Sequence, residues 1–143
     1  MTVAFNKFNQ FVADLGNGAH NFSSHTIKVL LTNTAPVATN AVKGDLTDLT
    51  AGNGYTAGGN AATVSSWSQS SGTAKLVLAN PATWTASGGS IGPFRYAAIY
   101  NDTQTSPAKP LIGWYDYGSA VTLASGEQFQ VAFDATNGVF TIT

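Results

Sequence analysis

Thr26-Ile27-Lys28-Val29-Leu30-Leu31-Thr32 is the stretch on which the fold turns. It is a β-branched and aliphatic run that puts Ile27, Val29 and Leu31 on one face of an extended chain. The sequence downstream reads the same way. Further strands are predicted at 62–69, 73–79, 82–86, 94–101, 111–117, 121–123, 128–134 and 139–143. The breaks between them carry turn residues: Ser70-Ser71-Gly72, Asn80-Pro81, Ser87-Gly88-Gly89, Ser125-Gly126 and Thr136-Asn137-Gly138. Phe129, Val131 and Phe133 alternate with Gln130, Ala132 and Asp134, the pattern of a strand with one buried face. Asn137-Gly138 predicts a tight hairpin turn into Phe140 and Ile142. Short strands at this spacing, with no helices between them, predict a mainly β fold, an antiparallel β-sandwich or jelly-roll.

Upstream, the pattern changes period. Phe5, Phe8, Phe11, Val12 and Leu15 recur at three- and four-residue steps, which predicts a helix over about 4–15 with one apolar stripe. Gly16-Asn17-Gly18 supplies its stop. The stripe packs either across the chain's own β-domain or onto a neighbouring subunit. Between this helix and the later strands lie a Thr/Ala/Asn loop containing Pro36, a short element around Leu46 and Leu49, and the glycine-dense stretch 51–59. That stretch reads as an extended surface loop. With no repeat or linker, the organisation expected is one domain over 1–143, the β part occupying 26–143.

Composition removes several classes of function. The chain has 143 residues, of which only 9% are charged, against about a quarter in an average domain. Its net charge is -1, with no basic block, so the phosphate-neutralising stripe of a nucleic-acid binder is missing. With no cysteine there are no disulfides, Cys-zinc sites or thiol nucleophiles. Asn6, Lys7, Asn9 and Gln10 interrupt any signal-peptide core in the first twenty residues, and no run nears the roughly 20 apolar residues of a membrane span. The surface is therefore expected to be mostly Thr, Ser, Asn and Gly.

Catalytic constellations are equally scarce. Gly52, Gly54 and Ala57 mimic a dinucleotide fingerprint, but Gly58-Gly59-Asn60 forbids the helix that such a motif must open. His20 and His25, the only histidines, lack metal-site spacing and read as surface or interface polar contacts. Asp45 and Asp48 are placed to cap a short turn, while Asp116, Glu127 and Asp134 read as solvent-facing strand or turn residues rather than a glycosidase pair. Neither a cofactor nor a metal site is expected, and no enzyme activity. Trp67, Trp84, Trp114, Tyr96, Tyr100, Tyr115 and Tyr117 are either core or, in part, an exposed platform for a protein partner or a sugar.

The segments KVLLTNTAP, AGNGYTAGGN, GGSIGPFRYAAIYND, PLIGWYDYG and SGEQFQVAFDATNGVFTIT resemble a family of small virion proteins of tailed bacteriophages. The likeness runs over nearly the whole chain. It implies a structural component of the particle, first among them a head decoration (cement) protein that bridges major capsid protein subunits on the capsid exterior. Synthesis in the bacterial host cytoplasm and assembly as a homo-oligomer, such as a trimer, are part of that expectation. The alternatives are a tail, collar or fibre component, or a carbohydrate-binding module. On the decoration reading, oligomer contacts are expected at Phe5, Phe8 and Phe11. Capsid contacts are expected in the loop 52–60, with Asn53, Tyr55 and Asn60, and in the loop 101–110, with Asp102 and Pro107.

Overall fold

The computed structural model describes residues 3–143. In chain order the elements are β1 (Asn6–Lys7), α1 (Asn9–Gly16), β2 (Ile27–Thr32), β3 (Asn60–Ala61), β4 (Val64–Ser70), β5 (Thr73–Leu78), β6 (Trp84–Thr85), β7 (Ile91–Asn101), β8 (Leu111–Leu123), β9 (Gln128–Phe129) and β10 (Phe140–Ile142). The fold is mainly β with one short helix, and its sheets are antiparallel, as the strand pattern predicts. One sheet has the order β1-β8-β7-β2-β3, a second β10-β5-β4, and β6 pairs with β9.

The opening stretch becomes the interior strand β2. Ile27, Val29 and Leu31 face an apolar cluster that also takes Ile99 and Ile112 from the same sheet, Leu76 and Leu78 from the second sheet, and Trp84 from the third. The sheets thus lie around one core as an open sandwich. Leu30, on the opposite face of β2, is also fully buried, in a second cluster with Phe8, Ala98, Tyr100 and Leu111. Burial on both faces explains why this run is nearly continuously apolar instead of alternating.

The N-terminus departs from its periodicity. Residues 5–8 fit a helical stripe, yet Asn6 and Lys7 pair with Trp114 and Gly113 at the edge of β8, and the helix begins only at Asn9. A free sheet edge offers backbone partners that a first helical turn cannot supply for itself. Phe5 and Phe11 consequently reach the larger cluster, while Phe8, in extended conformation just before the helix, reaches the smaller one. Val12 is 55% exposed. The helix ends as expected, with Gly18 at φ +80° and its N–H donating to the Leu15 carbonyl.

The C-terminal hairpin is a second correction. Asn137-Gly138 does not join paired strands: β10 pairs with β5, and β9 with β6. The Asp134 carboxylate accepts the N–H groups of Thr136 and Asn137, which makes an Asp-capped turn that carries the chain between sheets. Only Phe129 of the alternating run is strand-paired, and residues 130–134 continue unpaired. The tight Asn-Gly turn lies elsewhere. Gly52 and Tyr55 exchange both backbone hydrogen bonds around Asn53 (φ +56°) and Gly54 (φ +101°), the backbone of a type I′ turn. The predicted strands 111–117 and 121–123 are one strand, β8. Between the pairs Tyr96–Asp116 and Phe94–Val121 it runs longer than β7 and bulges around Gly118.

Candidate functional site

The expected contact residues divide into anchors and surface. Phe8 and Phe11 are 0% and 2% exposed, so the folded chain has already used the faces expected to meet a neighbour. Phe8 packs on Trp114 at 4.5 Å between ring centroids, and Phe11 on Phe140 at 5.2 Å. Phe5 is half-buried against Tyr115 and Phe140. Its ring approaches Gly113, where any Cβ would overlap it; glycine inside a strand here marks a close approach. Tyr55 is also an anchor, 3% exposed. Its hydroxyl donates to Asp48 at 2.5 Å and accepts the Leu31 N–H at 3.1 Å.

The two long loops are consequently fixed rather than loose. Asp48, besides holding Tyr55, accepts the Gly58 N–H at 2.6 Å, and Tyr100 donates to the Gly58 carbonyl at 2.7 Å. Burial raises the Tyr55 and Tyr100 hydroxyls well above the usual phenol range, and the Asp48 carboxylate adds to both, so each remains a donor. Asp45 caps the 3-10 turn Lys43–Asp45 by accepting from Ala41 and Val42. Exposed at the tip is Asn53, whose amide donates to the Ser90 carbonyl at 3.1 Å. Asn60, half-buried on β3, donates to Ala82 at 2.7 Å.

The loop 101–110 is tied by its first two residues. Asn101 accepts the N–H groups of Thr103 and Gln104, and Asp102 pairs with Lys28 at 3.1 Å and Lys109 at 2.6 Å. Burial pushes the Asp102 carboxyl up, but the hydrogen bonds from Lys109 and Lys28 outweigh it and hold it below the usual carboxylate range. Asp102 is therefore a brace. What the loop presents to solvent is Thr103, Thr105, Ser106, Pro107, Ala108 and the Lys109 side chain. Asn53 beside Ser90 and Pro107 beyond Asn101 lie past opposite ends of β7, whose eleven residues span roughly 30 Å. These two tips are separate surfaces, although the base of the first loop returns along the sheet to Tyr100 and Val29.

A third feature escaped the sequence reading. A groove of about 640 Å3 opens between β7–β8 and the unpaired segment 130–134. Its walls carry Phe94, Tyr115, Tyr117, Phe129 and Phe133, with Val3, Ala4 and Phe5 at one end. Tyr117 is 47% exposed and meets Phe129 edge-on at 5.7 Å. Burial pushes the Tyr115 hydroxyl up to about 12. Arg95 and Asp116 also line or border it, joined by two hydrogen bonds of 2.8 and 3.1 Å. That pairing raises the Arg95 guanidinium further and lowers the Asp116 carboxyl. Of the aromatics considered for a platform, Trp84 and Tyr100 are fully buried core residues. The alternation of 128–134 was legible; its lack of a strand partner, which makes the groove, was not.

The histidines are another correction. His20 is 7% exposed, stacked on Phe22 and edge-on to Phe11. The Asn101 amide contacts His20 Nδ1 at 3.3 Å and His25 Nδ1 at 2.8 Å, joining helix end, connection and β7. Burial lowers His20 to about 4, against an opposing pull from Asp14 and a supporting one from His25. Its chemistry is that of a neutral packing residue. No group of three or more potential metal ligands occurs among the described residues. No protein-family model matches the chain, and neither a curated protein nor a solved structure matches it.

Proposed function

We propose that this chain is a non-enzymatic virion structural protein of a tailed bacteriophage, a head decoration protein that bridges major capsid protein subunits on the capsid exterior. The observation that carries this reading beyond the sequence resemblance is the pair of braced loop tips, around Asn53 and around Pro107, past opposite ends of β7. Each is held by buried or ion-paired side chains, Tyr55 and Asp48 at one, Asn101 and Asp102 at the other. Docking such loops costs little ordering entropy. Two contact tips about 30 Å apart suit a bridge, and many identical weak contacts add up through symmetry. The sparse charge lets copies sit side by side without repulsion.

Purified protein added to capsids that lack it is expected to bind the shell and raise its resistance to heat. Failure to bind, with cryo-microscopy placing the protein away from the shell, rejects the decoration reading; density at the neck or tail supports a tail, collar or fibre component instead. The aromatic groove favours one second reading, a carbohydrate-binding module in which Tyr117 and Phe133 stack on a sugar ring. A glycan array without hits disposes of it.

A further inference from the structure

We infer that β4 is a self-pairing edge, through which two copies of this chain join their β10-β5-β4 sheets into one continuous antiparallel sheet about a twofold axis. The inference rests on the fold and does not depend on the virion reading. β4 is seven residues long and pairs with β5 on one side only. Among the described residues, no group bonds to its other side. The β4–β5 connection is a two-residue turn, Ser71 at φ +51° and Gly72 at φ +83°, closed by the pair Ser70–Thr73. In such a hairpin the closing pair exchanges both backbone bonds and the pattern then alternates. The N–H and C=O groups of Trp67 and Gln69 accordingly point away from β5, toward a free edge.

Proteins blunt free edges with charge, proline, shortness or a bulge. The other edges of these sheets show such devices: β1 has two residues including Lys7, β3 has two and β10 three, and the outer part of β8 bulges near Asp116. β4, with the sequence VSSWSQS, has neither charge nor proline, and its irregularity is confined to the Val64–Ser66 end. Its chemistry selects a second copy as the occupant. Antiparallel pairing centred on Trp67 sets Ser66 opposite Ser68, Ser65 opposite Gln69 and Trp67 opposite Trp67, so no like charges meet. The hydroxyls of Ser66 and Ser68 already lie 3.3 Å apart on the outer face, and across the axis they form a four-hydroxyl ladder. Trp67, half-buried against Phe22 and Phe140, gains cover from its twin.

Sedimentation velocity of the full chain across a micromolar concentration series tests this. Wild type is expected to dimerise. The double substitutions Ser66→Lys with Ser68→Lys, and Ser66→Glu with Ser68→Glu, are each expected to give monomers, because each sets like charges face to face. Mixed one to one, the two variants are expected to re-form a dimer, which misfolded chains do not do. A wild type that stays monomeric throughout the series overturns the inference. So does a dimer or higher oligomer that both variants leave intact. Loss of capsid binding by the variants from a monomeric wild type also overturns it, since the edge then serves a different chain.

Discussion

At the scale of single residues, the buried polar groups set the pH response. An imidazole in the unfolded chain titrates near 6.5, whereas His20 in the fold titrates at about 4. Between those values the unfolded state holds the extra proton, so stability falls as pH drops from 6.5 to 4 and this contribution is constant below. For a ring this buried, 7% exposed, the loss is about 2–3 kcal/mol. Urea unfolding at pH 7 and pH 4.5 is expected to show it in wild type and to show a flatter profile in His20→Gln. Asp102 responds in a different window: its depressed carboxyl contributes above the ordinary carboxylate value and is lost only as pH falls through its lower folded value. Tyr55→Phe removes a hydroxyl with one buried and one partly buried partner and is expected to cost about 1–2 kcal/mol in the same assay. Gly59→Ala is expected to cost more than about 2 kcal/mol. At φ +75° its new Cβ would overlap the Val29 carbonyl of the central strand.

At the scale of elements, the central strand was legible because its side chains alone specify burial, and the turn at Ser71-Gly72 because local chemistry specifies it. Pairing was not, since a strand's partner depends on groups far away in sequence. The phenylalanine spacing at Phe5, Phe8 and Phe11 suits a helix, and only the free edge of β8 draws residues 6 and 7 into a sheet. The hairpin signal at Asn137-Gly138 was diverted by Asp134 into a capped crossover, while Asn53-Gly54, inside a stretch that reads as an extended loop, makes the tight turn. Unequal truncations check this arrangement. Phe8→Ala is expected to lose about 3–5 kcal/mol, as for a large side chain removed from a packed core. Val12→Ala, though on the same sequence stripe, is expected to change stability by less than about 0.5 kcal/mol. Comparable losses in thermal unfolding would contradict the observed helix start.

At the scale of the whole molecule, the sequence showed where the loops are and that their tips carry no charge, but not that Tyr55 and Asp102 face inward as braces. Both types also occur on contact surfaces, and only the distances to Asp48, Lys28 and Lys109 separate the roles. The groove was illegible for a related reason: it arises because residues 130–134 find no strand partner. Scarcity of charge, with 9% charged residues and a net charge of -1, gives the proposed capsid binding a testable salt response. Association through the neutral tips around Asn53 and Pro107 is expected to vary little between low and high ionic strength in a capsid pull-down, whereas contacts through exposed ion pairs such as Asp102–Lys109 weaken as salt screens them. The most direct test of the account is the copy number of this protein in purified virions, measured against the major capsid protein by quantitative mass spectrometry. The account predicts a copy number of the same order as that of the capsid subunit. A number limited to a single vertex or a tail ring, or no copies at all, would contradict it.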